Sequence, residues 1–494
     1  MLNFAPLHSR LPPWLLRLLW GRSPEPSEYR LVSWLFVRGL ALIYLIAFVS
    51  LAGQVAGLVG PDGILPLAAR LDEARAQWGA VAYWRYPILF WFGAGDGMLQ
   101  GACWAGAALA VLLLLDIRPR TCLILMFWLY LSLLKAGQVF LFFQWDYLLL
   151  EAGFLAIFLP GGARVVVWLF RWLLFRFRFL SGAMKLMSGD PSWASLTALF
   201  YYFETQPLPH TGSWYAHQLP HGLLMFGAAA TLVIEILVPF MMFLPRNPRL
   251  LAGWATIFLQ VLILLTSNHN FFNLLTITLC LFLFDDRALR RVLPAGLERL
   301  ILRRQAPPSG RLAKGLLGTL AGLILMVSAV QMWEMFSGRS ATGPLAAVVD
   351  QVERWQVVNK YGVFAVMNTQ RIELEVEGLG EDGQWRPYVF KYKPGDPMRR
   401  PQVVIPHQPR LDWAMWFVPL GHPLHREWFA AFLNRLYEGA PAVTALLETN
   451  PYPNGPPKAV RASLYRYRFT DPATRAATGR WWDREYLGPY WPDL

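Results

Sequence analysis

Long apolar runs, separated by short charged or proline-rich connections, fill residues 31–337, and no further long apolar run follows. A helix needs roughly 20 apolar residues to cross a bilayer, fewer when protein sheathes it. The candidate segments are Leu31–Leu51, Met98–Leu115, Thr121–Phe143, Asp146–Leu159, Val165–Met187, Leu223–Leu244, Leu250–Thr266, Phe271–Phe284 and Gly315–Trp333. The pattern predicts an α-helical polytopic membrane bundle of about nine membrane segments, roughly seven to nine of them true spans. Asp146–Leu159 and Phe271–Phe284 are short enough to be re-entrant.

Past Gly338 the pattern changes. Arg371–Glu377 alternates with period two, Glu381-Asp382-Gly383 supplies a turn, and Trp385–Tyr392 reads as the returning strand of a hairpin. His425–Leu436 places Trp428, Phe429, Phe432 and Leu436 at helical spacing, and Ala459–Phe469 returns to alternation. The expected organisation is a cytoplasmic N-terminal segment over 1–30, a multi-span membrane domain over 31–337, and an extramembrane α+β or mainly β domain over 338–494. Eight tryptophans between Trp355 and Trp491 offer that domain an aromatic core.

Charge orients the bundle. The N-terminus, Asp116–Arg120, the turn before Arg164, Pro245–Arg249 and Asp285–Lys314 form one set of connections, the last with seven arginines and one lysine. Ser188–His221 on the opposite side has no lysine or arginine. The positive-inside rule makes the first set cytoplasmic, and an odd number of crossings puts the C-terminal domain in a lumen, periplasm or exterior. Loop 52–97 sits less easily there, because it holds Arg70, Arg75 and Arg85. Arg10, Arg17, Arg22 and Arg30 precede the first apolar run, which lacks an A-x-A site, so it reads as a retained span.

Composition agrees: 55% of the 494 residues are hydrophobic and 16% charged. The net charge of +13 comes mostly from arginines scattered between apolar runs, which argues against a nucleic-acid partner. Cys103, Cys122 and Cys280 lie in apolar runs, leaving no disulfide framework or cysteine zinc site after Met332.

Ionisable residues within membrane segments are expensive and call for an explanation. Lys135, Asp146, Glu151, Lys185 and Glu235, with Glu204 in the adjoining loop, are the candidate polar site; Arg171, Arg176 and Arg178 are the cations beside it. They either pair to hold the bundle together or face one cavity. Asp146 and Glu151, five apart, are not a matched catalytic pair. His210, His217 and His221 follow no zinc-site pattern, and Gly93–Gly97 has neither a nucleotide-fingerprint context nor a P-loop lysine. No G-x-S-x-G elbow is present. Ala102, Gly106 and Ala110 read as a helix-packing face. No cofactor and no metal are implied.

Several stretches resemble the lipase maturation factor family, from about Trp34 to Tyr490. They are Phe143–Ala156, Gly189–Trp193, Tyr202–Pro209, Ser213–Tyr215, Tyr361–Phe364, Glu377–Gly378, Lys391–Asp396 and Pro406–Trp413. The resemblance implies a non-enzymatic, chaperone-like protein in the endoplasmic reticulum membrane, or in the inner membrane of a bacterium. Its non-cytoplasmic domain would engage a secreted, lipase-like client, with membrane lipids around the bundle. The expected client-contact region is Tyr361, Lys393, Asp396, His407, Arg410, Asp412 and Trp413 on the matching stretches, with Trp416 just beyond them. The competing expectation is an integral membrane enzyme acting on lipid or translocated protein, built around Glu151, Lys185 and Glu204, with a bundle distantly similar to the membrane domain of vitamin K-dependent carboxylases. A transporter ranks last, because no internal repeat is evident.

Overall fold

The computed structural model describes residues 12, 18–19, 28–159, 163–303 and 310–491. Each of the nine segments carries a helix: α1 Arg30–Ala52, α2 Asp96–Leu114, α3 Pro119–Ala136, α4 Gln144–Ala156, α5 Arg164–Met187, α6 His221–Ile236, α7 Arg246–Thr266, α8 Phe272–Cys280 and α9 Arg311–Ser337. Six are long and apolar enough to cross a membrane: α1, α2, α3, α7, α9, and α6 with its continuation to Met241. Helix α5 is long enough but carries four arginines and a lysine. It is the hub of the bundle, with Phe170 and Leu173 fully buried and with α4, α6, α8 and α9 packed around it.

Helices α4 and α8 are too short to meet the same criterion. At 1.5 Å per residue, 13 residues of α4 reach about 20 Å, short of a hydrocarbon core of about 30 Å. Neighbouring helices sheathe both, and Leu148, Leu149, Leu150, Leu275 and Leu279 are fully buried. The ends of α8 still reach opposite groups of loops. Asp286, beyond α8, accepts from the backbone N–H groups of Arg30 (2.8 Å) and Val32 (3.0 Å), while Asp285 pairs with Arg246 at 2.7 Å. Asn270, before α8, instead donates to Gln408 of the C-terminal domain at 2.6 Å.

Close helix approach follows the small residues. Ala102, Gly106 and Ala110 of α2 are buried against α1, and a Cβ on Gly106 would overlap the Phe48 ring. Gly106→Leu is therefore expected to cost about 1–3 kcal/mol through overpacking. It should lower the unfolding midpoint of the detergent-solubilised protein, and Phe48→Ala in the same chain should recover part of the loss.

The C-terminal domain is a four-stranded antiparallel sheet, in the order β2-β1-β3-β4, with short helices. Strand β1 spans Arg371–Leu379, β2 Trp385–Pro387, β3 Val460–Phe469 and β4 Trp482–Trp491. The predicted hairpin is present, with Gly378 opposite Arg386, but β2 is shorter than expected and ends at Pro387, with one further bond from the Tyr388 N–H to the Val376 carbonyl at 2.9 Å. The pattern missed β4: its charges face outward, and Gly488 (φ +138°) and Pro489 sit at a bulge on the sheet edge. The expected helix is α10, Pro423–Tyr437, which buries Trp428, Phe429 and Phe432. Trp413, Trp428, Trp481 and Trp482 are buried and the other four tryptophans of the region half-buried, so they serve the core.

Between α9 and β1 the chain turns back over the bundle. After the helix Gly343–Arg354, residues 355–370 form a strap bonded along its length to α4, α5 and the loop after α5.

Candidate functional site at the junction of bundle and C-terminal domain

Three buried acids of the bundle define the junction. Asp146, in the first turn of α4, receives both guanidinium nitrogens of Arg410 at 2.7 Å and the Tyr130 hydroxyl at 2.6 Å. Both charges are essentially inaccessible, and the bidentate geometry satisfies the carboxylate. One turn further on, Glu151 pairs with Arg176 and accepts the Asn359 backbone N–H (3.1 Å), the Asn359 amide (3.1 Å) and the Tyr361 hydroxyl (2.8 Å). Glu235 on α6 pairs with Arg178 at 2.9 Å and Lys185 at 2.8 Å, and Lys185 also donates to the Val363 carbonyl at 2.8 Å.

Sequence spacing separated two candidate sets, and the structure joins them. Asp146 meets Arg410, and Glu151 meets Tyr361. Lys185 and Glu235 share a cavity of about 90 Å³, but neither Glu151 nor Glu204 lines it, and half-buried Lys135 lies elsewhere, electrostatically nearest Arg354. Glu204 accepts the Phe469 N–H at 2.6 Å, and burial holds its carboxyl above the usual range. The cavity therefore does not gather the set proposed for an enzyme.

The expected client-contact residues are largely internal. Tyr361, Lys393, Arg410, Asp412 and Trp413 are buried. Lys393 pairs with Glu373 at 3.0 Å, and Asp412 accepts the N–H groups of Tyr392 (2.7 Å) and Lys393 (3.0 Å). Trp413 stands edge-on to Trp145, 5.0 Å between centroids. Trp416, half-buried, donates its indole N–H to the Thr205 carbonyl at 2.7 Å. Asp396 is exposed and accepts from the Met398 N–H at 2.9 Å.

The reading from sequence missed Arg371, the first residue of β1. It is fully buried, donates to the Glu204 and Pro207 carbonyls (2.9 Å each) and to Gln206, and pairs with Glu373 at 2.5 Å, pinning the loop after α5 to the sheet. Its only sequence signal was an arginine opening an alternating strand, where solvent exposure is the usual outcome.

His210 caps the helix Thr211–His217, its Nδ1 accepting from Gly212 N–H at 2.8 Å. Among the described residues no three His, Cys, Asp or Glu side chains gather as a metal site requires. His407 lies 2.8 Å from Ser50 Oγ at the end of α1. Burial, with Arg410 and Lys391 nearby, pulls its imidazole down to about 4 from an ordinary 6.5. A base whose folded value is depressed stabilises the fold above its unfolded value and loses that contribution as pH falls. Stability should therefore drop between pH 6.5 and 4, by about 2–3 kcal/mol from this residue. Unfolding midpoints at pH 7.5 and 4.5 check this, and His407→Asn should flatten the difference.

Residues 31–291 match the family model of the lipase maturation factor transmembrane domain, and residues 357–492 that of the lipase maturation factor C-terminal domain. The chain is 35% identical to lipase maturation factor 2 of Xenopus laevis, over 94% of this chain and 82% of that protein. It is 34% identical to the human lipase maturation factor 2, over 94% and 83%, and 33% identical to lipase maturation factor 1 of Bos taurus, over 98% and 92%. No solved structure matches it. With both domains matched and the relatives aligned along nearly its whole length, this integral membrane protein belongs to the lipase maturation factor family.

Proposed function

We propose that the protein is a membrane-anchored maturation factor that helps a secreted, lipase-like client to fold, using the face where bundle and C-terminal domain meet. The carrying observation is that the buried acids Asp146 and Glu151 are saturated by partners that include the C-terminal third of the chain. Acids so engaged are poor catalysts and good cement, which favours a preorganised binding platform over a reactive centre. The relatives' names support the client class.

In this reading the nine helices all cross the membrane with their arginine-rich connections in the cytoplasm, and the positive-inside rule then favours a lumen or periplasm for this face. Short α8, which reaches from one group of loops to the other, supports that count. On the same face two open depressions of about 330 and 460 Å³ adjoin at Met367 and Thr369, between the loop after α5 and β1. Val366 (61% exposed) and Leu420 (49%) offer apolar contact there, beside polar Asp190 and Thr369. This groove takes the place of the buried residues as the client surface.

Deleting the gene and measuring active secreted lipase tests the function. At least a fivefold loss is expected, restored by the intact chain and not by Val366→Asp combined with Leu420→Asp. Unchanged secreted activity after deletion would count decisively against it.

A further inference from the structure

The bundle holds a second chamber, lined by none of the residues that line the groove proposed for the client. The cavity of about 90 Å³ lies between α5, α6, α7 and α8, closed on one side by the strap at Val363 and Phe364. A single water needs roughly 10–15 Å³ of such space, so a group of several heavy atoms fits. Its charges do not balance: Arg178 and Lys185, 4% and 3% exposed, share one carboxylate, Glu235.

The opposite wall is also incomplete. Gln260 and Asn273, each 2% exposed, bond to one another at 2.8 Å, yet among the described residues Gln260 Nε2 and Asn273 Oδ1 have no partner, and neither has Arg178 Nε. Exchanging O and N in both amides still leaves one donor and one acceptor unpaired. Burying a surplus cation beside unpaired amides is unfavourable inside a membrane bundle, and an anion that accepts hydrogen bonds relieves both.

The rim indicates the rest of the ligand. Half-buried Leu199, Thr231 and Ile263 border the cavity, and the two helices that frame it, α6 and α7, expose Phe226, Val233, Phe258 and Leu262. Such faces belong in hydrocarbon. We propose that the cavity binds an anionic amphiphile, its carboxylate or phosphate against Arg178 and Lys185 and its tail leaving between α6 and α7.

The test uses the full-length protein in phosphatidylcholine nanodiscs with three diazirine probes of equal chain length: a fatty acid, a phosphatidic acid and a fatty alcohol. At least one acidic probe should label α6 or α7 peptides, competed by unlabelled acid, at least tenfold more than the alcohol. Labelling by only one acidic probe identifies which headgroup is taken. Equal labelling by the alcohol, or no competed labelling of these helices by either acid, overturns the proposal.

Thr231→Phe and Ile263→Trp narrow the rim without touching the ions. Either variant that retains the wild-type unfolding midpoint should lose labelling at least tenfold, and undiminished labelling in both also overturns the proposal. Lipase secretion is not read at any point, so this outcome is independent of the maturation role.

Discussion

Arg410→Met is expected to free the C-terminal domain from the bundle. Removing the guanidinium leaves Asp146 fully buried without its counter-charge, the Tyr130 hydroxyl being its remaining side-chain donor, and an orphaned buried charge of this kind costs about 3–5 kcal/mol. The loss should appear as a lower unfolding midpoint and as faster protease cleavage in the 338–370 connection. Asp146→Leu added to Arg410→Met removes both charges, and apolar replacement of a whole buried pair is often tolerated. The double variant should therefore regain much of the stability. If the double variant is as unstable as the sum of the two single ones, the pair does not hold the domains together.

The second large effect is expected at Glu151. Glu151→Leu takes the counter-charge from Arg176, which keeps only the Asn359 carbonyl, and strands the Tyr361 hydroxyl and the Asn359 backbone N–H, all at buried positions. The orphaned guanidinium alone costs about 3–5 kcal/mol, and each further unpaired donor adds about 1–3 kcal/mol. That sum rivals the whole stability of a typical domain, roughly 5–15 kcal/mol. Little monodisperse protein should survive size-exclusion chromatography. Glu151→Gln keeps the shape and an acceptor for Tyr361, so it should retain a folded fraction that Glu151→Leu lacks.

The helices were legible because a hydrocarbon core dictates length and apolarity, and even the short segments of α4 and α8 stood out as apolar runs. Pairing was not legible. Asp146 and Arg410 are 264 positions apart, and spacing within α4 says nothing about which distant side chain arrives. The residues expected at a client surface stood out through shared motifs, but a motif does not distinguish a buried tie from an exposed contact; Tyr361, Arg410 and Trp413 proved to be ties. Strand β4 escaped because its edge position permits the charges, glycine and proline that usually signal a loop.

The strap across the bundle also has a consequence for biosynthesis. Asp146 and Glu151 are made early, whereas Asn359, Tyr361 and Arg410 emerge only after the last membrane helix. Until the ribosome has delivered them, α4 holds one carboxylate without its cation and another short of its hydrogen bonds. The final third of the chain thus completes the first, and a product truncated before Asn359 is expected to be less stable than the full chain, with Asp146 and Glu151 lacking these partners.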